Sequence, residues 1–391
     1  MSDSFEAQTE VYLDHAAAMP VDPDILHRLN HYFGKYFANQ ESAGALGIES
    51  ARALKSAENI LKDAVLPRKQ SDYSVLWCQS GTESINAAIQ LIRLYHPEGG
   101  VILYSPGEHA SVKGCLQNHP ESCFQNLPVS LKANGLLDLD DFEKKLSSGK
   151  RIIGCIVHFV QSETGVVQDL LSIGKLLHQY HPHALFFSDT IQGIGKIPFP
   201  GDSAAVDMFS VSGQKLGVPA GAALICRNSL QKVMQDLRSK HHTVGRLPVP
   251  FALIMAEQLN DLIKKQSELL QQTEHLKKFL LQQLQEYIPD RFQITVPDSP
   301  CSPYILHLLM CCRKICFQGA IVVRSLSVKG VSIASGSACD SETKEPSAVL
   351  RAMGIPSETA YTAIRISLGF QSRKSEITDF VQKLKKTLEE Y

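Results

Sequence analysis

The chain has 391 residues, 44% of them hydrophobic and 20% charged, and its 39 Lys and Arg nearly balance 40 Asp and Glu for a formal net charge of -1. That balance argues against a basic surface for nucleic acid or an anionic membrane, so neither is an expected partner. No apolar run is long enough to span a bilayer, and the polar, acidic start MSDSFEAQTE lacks the pattern of a targeting leader, which makes the cytoplasm the expected location.

The length exceeds one ordinary core and points to more than one domain. In chain order, SVLWCQ at 74–79 reads as a buried strand that turns into the helix TESINAAIQLIRLY. VILYSP at 101–106 is a second strand, followed by a helix around Ala110–Leu116. RIIGCIVHFV at 151–160 is β-branched and apolar, as a central parallel strand should be, and the helix DLLSIGKLLHQYH follows. ALFFSDT at 184–190, MFSVSG at 208–213 and AALICR at 222–227 complete the strands of this half. Strand and helix alternating at this spacing predict a mainly parallel sheet covered on both faces. From about residue 250 a long helical stretch, one helix or two, leads to strands near YILHLLM and VSIASG and to helices at SAVLRAMG and SEITDFVQKLKKTLEE. The expected division is a segment 1–20 packing with the smaller domain, a large domain over 21–255 and a small α+β domain over 256–391.

Ten cysteines in a chain of this kind read as free, mostly buried thiols rather than a disulfide framework. Cys311, Cys312 and Cys316 with His307 form no CxxC pair, and a core explains them better than a metal site.

Four polar clusters follow strands, where open α/β sheets bind ligands. Ser80-Gly81-Thr82-Glu83 is a small-residue turn opening a helix, which either caps that helix or offers its N–H groups to a phosphate. Glu108-His109 comes next. Asp189, in SDTIQ, either caps a helix or pairs with a heterocyclic nitrogen and keeps it protonated. Lys215, in SVSGQKLG, is either a surface lysine or a partly desolvated amine suited to a Schiff base.

The order phosphate turn, His, Asp, Lys, each after a strand, resembles that of fold-type I pyridoxal-phosphate enzymes. Over nearly the whole chain the sequence resembles the NifS/IscS group of cysteine desulfurases, within the aminotransferase class V group. The matching stretches are YLDHAAAMPVDP, SGTESINAAI, GEHASV, SETGVVQDL, SDTIQGIGKIP, SGQKLGVPAGAAL, SGSACDSETKEPSAVLRAMG and RISLG. SGSAC followed by a short loop and EPS resembles the class I desulfurases. The resemblance implies a large domain with a seven-stranded-type, mainly parallel sheet. It implies Lys215 as the residue binding pyridoxal 5'-phosphate covalently and Asp189 as the partner of the ring nitrogen. His109 would stack on the ring. Gly81, Thr82, Ser212 and Gln192 would contact the phosphate or ring oxygen. Arg365, with Asn39, would bind the substrate, the guanidinium taking the carboxylate as a bidentate pair. Cys339 would be the nucleophile on an exposed loop that receives sulfur from L-cysteine.

The chain departs from the family pattern at several of these places. Gln214 stands where the family has His before the lysine, and Ser162 stands where it has Asn before the Glu of NNExG, as a shorter partner for the cofactor hydroxyl. Arg246 falls where a Thr reaches the phosphate of the neighbouring subunit, and its charge would compensate for Gln214. The long tail that housekeeping members direct toward an iron–sulfur scaffold is not seen. The expected protein is a homodimeric cysteine desulfurase that hands sulfur to an acceptor protein or scaffold. The alternatives are a selenocysteine lyase or other β-elimination enzyme, and a non-catalytic homologue.

Overall fold

The structure is a computed structural model that describes residues 11–117, 123–203, 205–239, 244–312, 315–336 and 346–390. The chain opens with β1 (Val11–Tyr12), α1 (Pro23–Lys35) and α2 (Ala45–Val65). It continues through β2 (Tyr73–Cys78), α3 (Gly81–Tyr95), β3 (Gly100–Tyr104), α4 (Ala110–Gln117), β4 (Phe124–Pro128), α5 (Leu139–Leu146), β5 (Ile152–Ile156) and α6 (Leu170–Tyr180). Next come β6 (Leu185–Ser188), β7 (Met208–Ser212), β8 (Ala222–Arg227), α7 (Gln231–Ser239), α8 (Val249–Lys264) and α9 (Gln266–Tyr287). The last part holds β9 (Gln293–Ile294), β10 (Ile305–Leu309), β11 (Cys311–Cys312), β12 (Ile315–Cys316), α10 (Gly319–Val328), β13 (Val331–Ser332), β14 (Ala334–Ser335), α11 (Ala348–Ala352), α12 (Ser357–Ala360), β15 (Ala363–Ser367) and α13 (Lys374–Glu390).

Seven strands form the main sheet in the order β2-β8-β7-β6-β5-β3-β4. The pairs β3/β4, β3/β5, β5/β6 and β6/β7 are parallel, whereas β8 runs antiparallel to both β7 and β2. The mainly parallel sheet expected from the sequence is present, and β8 is its one reversed strand. A short loop, 213–221, joins β7 to β8, and a connection that short can only return the chain antiparallel.

Successive side chains of these strands serve opposite faces. Val75 and Trp77 enter one apolar cluster with residues of α2, α6 and α8, while Leu76 and Cys78 enter a second with residues of α3 and α7. Both faces are therefore covered, which a parallel sheet requires. β4, unanticipated in the sequence, is a partly exposed edge strand, so FQNLP needed no apolar run. The apolar stretch 151–160 contributes Ile152–Ile156 to the strand, and beyond it the Val157 and Phe159 N–H groups still donate to the Phe187 and Asp189 carbonyls at 3.1 and 2.8 Å. The long helical stretch is two helices, interrupted at Lys265.

A second sheet, ordered β14-β15-β10-β9, is antiparallel throughout. Leu306, Leu308, Ile364 and Ile366 meet α9 through Leu280 and Leu284 and α13 through Ile377, Phe380 and Leu384. Cys316 is disulfide-bonded and so departs from the free thiol expected of most of the cysteines. The β11–β12 hairpin sets Cys311 opposite Cys316 in register, a proximity that spacing alone did not reveal. The chain from β1 crosses between the two sheets: Val11 pairs with Val331 of β13, and Met19 N–H donates to the Gln214 carbonyl at 3.0 Å beyond β7.

Candidate active site

Because β2, β3, β5, β6 and β7 point the same way, their carboxyl ends lie along one edge of the sheet. Gly81, His109, Ser162, Asp189 and Lys215 each follow one of those ends. This edge is the place an open α/β sheet reserves for ligands.

α3 begins at the first of these ends. Ser80 caps it, its side chain accepting from Glu83 N–H at 3.2 Å, and the Glu83 carboxylate accepts from the Gln79 N–H and, at 2.7 Å, from Gly245 N–H. A β-carbon built on Gly81 would lie 2.7 Å from Ile191 Cδ1, 3.5 Å from Ser212 Cβ and 3.7 Å from Ser212 Oγ. The helix N-terminus and the buried Ser212 hydroxyl thus form one cradle, with Thr82 exposed at its rim. Outward N–H groups, a positive helix end and a hydroxyl are the donors an anionic phosphate needs.

Asp189 is buried behind this cradle, and its Oδ1 accepts from Ser210 Oγ at 2.9 Å and from Ile191 N–H at 3.1 Å. The two bonds fix one carboxylate oxygen and hold the group in a single orientation. His109 is half-buried at the start of α4. Ser111 N–H donates to its Nδ1 at 3.2 Å, so that nitrogen carries the lone pair and a neutral ring carries its proton on Nε2. The Ser111 hydroxyl lies 2.7 Å from the same Nδ1.

Lys215 closes a tight turn after β7. Gly213 N–H donates to the Gly221 carbonyl at 2.8 Å and Val218 N–H returns to the Gly213 carbonyl at 2.9 Å. Gly217 has φ +80, a conformation that glycine adopts without a β-carbon penalty. The Lys215 side chain points at the crossing segment from β1 and donates to the Ala17 carbonyl. Gln192, also buried, donates from Nε2 to the Ala16 carbonyl at 2.8 Å. Gln214 presents its backbone to Met19, and its side chain is exposed.

Arg365 lies in the middle of β15, opposite His307 of β10 and Ala334 of β14. It is 5% exposed. Its Nη2 donates to Asp14 Oδ1 at 2.7 Å and its Nη1 to the Ser162 backbone carbonyl at 3.0 Å, while among the described residues its Nε has no hydrogen-bond partner. One edge of a buried guanidinium therefore retains a donor for an incoming carboxylate. Ser162 meets Arg365 through its backbone carbonyl, and Asp14, in the LDHAA stretch, joins the site as a residue the polar clusters do not include.

Arg246 and Asn39 meet each other next to the Gly245 N–H that donates to Glu83 at the start of α3. Arg246 donates to Asn39 Oδ1 at 3.0 Å and pairs with Glu41, and among the described residues no hydrogen bond links this pair to Arg365 or Asp189. Cys339 lies outside the described residues. The described residues on either side of it are anchored beside Arg365 and Ser162: Gly336 N–H donates to the Ala363 carbonyl at 3.1 Å, and Ser347 Oγ donates to Glu163 Oε2 at 2.6 Å.

Burial shapes the titration of the groups around the site. His15 is lowered to about 4, first by burial and then by the nearby Lys196 charge. His307 is lowered to about 3 by burial and by Arg365, so it stays neutral through the physiological range. Lys196 is lowered to about 7 by burial, with Lys215 and Arg365 adding repulsion. Among the described residues no group of three or more His, Cys, Asp or Glu is placed to hold a metal ion. No helix among them is long and apolar enough to cross a membrane.

The residues present fit pyridoxal phosphate. The Gly81–Ser212 cradle suits a phosphate, Asp189 suits a protonated ring nitrogen, and Lys215 supplies the amine.

The family model described as aminotransferase class-V matches residues 11–380. A cysteine desulfurase from Nostoc sp. is 28% identical over 389 residues, covering 97% of this chain and 93% of its own. A cysteine desulfurase IscS from Rickettsia peacockii is 28% identical over 378 residues, covering 94% and 88%. Among solved structures, a NifS-like protein from Rickettsia africae superposes with TM-score 0.84 over 97% of this chain and 99% of its own at 23% identity. A second NifS-like protein gives 0.83 over 98% and 100% at 21% identity. At those identities the structural likeness speaks for the fold, which is that of the fold-type I enzymes.

Proposed function

We propose that this chain, which belongs to the aminotransferase class-V family, is a pyridoxal-phosphate-dependent cysteine desulfurase. On this reading it converts L-cysteine to L-alanine and leaves the sulfur as a persulfide on Cys339. The observation that carries the reading is the convergence on one sheet edge of the Gly81–Ser212 cradle, the braced Asp189 and Lys215, with Arg365 facing them from the second sheet. Relatives with desulfurase names along nearly the full chain support the reaction class.

Pyridoxal phosphate, when bound, supplies an electron sink for charge that develops on the substrate Cα. The α3 N-terminus, Thr82 and Ser212 would hold its phosphate, Asp189 would keep its ring nitrogen protonated, and His109 would cover the ring. Arg365 binds the substrate carboxylate, with Asp14 and the Ser162 carbonyl keeping the guanidinium plane fixed. Lys215 Nζ takes the Cα proton. The Cys339 thiolate attacks the substrate sulfur; an S–S bond forms, the substrate's Cβ–S bond breaks, and its electron pair stays on the substrate carbon. Protonation there, with return of the proton from Lys215 to Cα, completes alanine. The persulfide then passes to an acceptor protein, an iron–sulfur scaffold or another sulfur-transfer partner. We assign the enzyme to the cytoplasm as a homodimer, with Arg246 contributing positive charge near a phosphate.

The test is release of sulfide and alanine from L-cysteine plus a reducing thiol, with cofactor-saturated protein beside Cys339→Ala. Equal amounts of both products, lost in the variant, are expected. Pyruvate in place of alanine, or activity on selenocysteine alone, would refute the assignment, and so would absence of any product.

A further inference from the structure

The proposed reaction makes no use of Lys196. This lysine lies in the turn that follows β6 and is 2% exposed. Its Nζ donates to Gln192 Oε1 at 3.1 Å, and Gln192 Nε2 donates to the Ala16 carbonyl at 2.8 Å. The next carbonyl along the chain, Ala17, accepts from Lys215. Lys196, Gln192, the Ala16–Ala17 peptide and Lys215 therefore form one continuous chain of contacts.

Two features set this ammonium apart from an ordinary buried lysine. Among the described residues no carboxylate lies within ion-pair distance of it. The charged and titratable groups that act on it from the surrounding elements are Lys215 after β7, Arg365 in β15, and His15 in the crossing segment. Lys215 and Arg365 are cations, and the Asp14 carboxylate is engaged by Arg365. Burying a charge with so little compensation is costly, and such placements concentrate at functional sites. An ammonium can only donate. Its contact with Oε1 therefore settles which way the Gln192 carboxamide faces, and the Nε2 edge is turned toward Ala16 and the ligand edge of the sheet. Two cations that repel also lower each other's proton affinity, whichever one is observed.

Building on the proposed function, we infer that Lys196 is a positioning residue of this site: its ammonium locks the Gln192 carboxamide and disfavours a second positive charge on the Lys215 nitrogen. Below about pH 7, where Lys196 carries its charge, a Lys215 nitrogen kept neutral is available to move the Cα proton over a wider pH range.

The experiment titrates the visible absorbance of pyridoxal phosphate bound at Lys215 against pH, in the unmodified protein and in Lys196→Met, Lys196→Gln and Lys196→Arg. Loss of the charge in Lys196→Met should raise the titration midpoint by about one pH unit. Lys196→Gln can still donate to Gln192 but carries no charge, and should shift as Met does; it also serves if the Met variant fails to fold. Lys196→Arg retains the charge and should stay at or below the original midpoint. An unchanged midpoint in folded, cofactor-bearing Met or Gln variants overturns the inference and leaves the proposed function standing. Unmodified protein that develops no such absorbance with pyridoxal phosphate refutes the proposed function, and this inference with it.

Discussion

Replacing Glu108 by alanine probes the buried framework that carries His109. Glu108 is 3% exposed and its Oε1 accepts two bonds from His158, from the backbone N–H at 2.7 Å and from Nδ1 at 2.8 Å. His158 is 4% exposed, and its Nε2 lies 3.4 Å from Gln168 Nε2, whose amide also donates to the Gly135 carbonyl at 2.8 Å. The imidazole thus donates at Nδ1 and accepts at Nε2. Alanine removes the acceptor and strands two buried donors. Hydrogen bonds to a charged group are worth about 1.5–3 kcal/mol each, so the loss should be about 3–5 kcal/mol. Glu108→Gln preserves the shape and an acceptor at Oε1. It exchanges an Oε2 that has no partner among the described residues for an amide nitrogen in the same position, and should cost about 1–2 kcal/mol. Urea unfolding followed by the fluorescence of Trp77, the chain's one tryptophan and itself buried, reads both variants. The denaturant slope of a chain this large is about 3 kcal/mol per molar or more, so the alanine midpoint should fall by about 1 M and the glutamine midpoint by less than half of that. An alanine variant within about 0.2 M of the parent, or a glutamine variant as weak as alanine, would refute the account of the pair.

Three further outcomes are expected. His307, lowered to about 3, binds its proton later in the folded chain than in the unfolded one, so it contributes stability above about pH 6.5 that is lost as pH falls through 3; His307→Gln should flatten that acid decline in melting temperature, and an unchanged decline would contradict it. Arg365→Lys cannot span Asp14, the Ser162 carbonyl and a substrate carboxylate with one planar group, so kcat/KM for L-cysteine should fall about 10–100-fold, chiefly through KM. Gly319→Ala would place its β-carbon 2.1 Å from the Ala363 backbone oxygen, and thermal melting should show a loss of about 3 kcal/mol or more, because the Gly319 N–H and the Ala363 carbonyl are each held in a backbone hydrogen bond and cannot move apart freely.

Residues whose role depends on near neighbours were legible in the sequence. The strand-to-turn positions of Gly81, Asp189 and Lys215 follow from apolar runs ending in small or polar residues, and they lie where those runs end. β10, α11 and α13 also fall where their patterns predict. Polar partners contributed by distant segments were not legible. Asp14 and Arg365 are separated by 351 positions and meet because the segment after β1 crosses to the sheet edge. Ser162 matters through a carbonyl, which no side-chain pattern can announce. No local pattern marks Lys196, whose burial comes from the packing around its turn.

By itself, the sequence determined the alternation of strand and helix, the two-face burial of the central strands and the order of the polar clusters along them, since these rest on local periodicity and turn chemistry. The tertiary structure alone decided the strand order β2-β8-β7-β6-β5-β3-β4, the reversal of β8, the edge position of β4 and the cluster of Lys196, Gln192, Lys215 and Arg365. Those depend on which apolar faces meet and which carbonyls they leave to be satisfied, a balance set by packing between segments hundreds of residues apart.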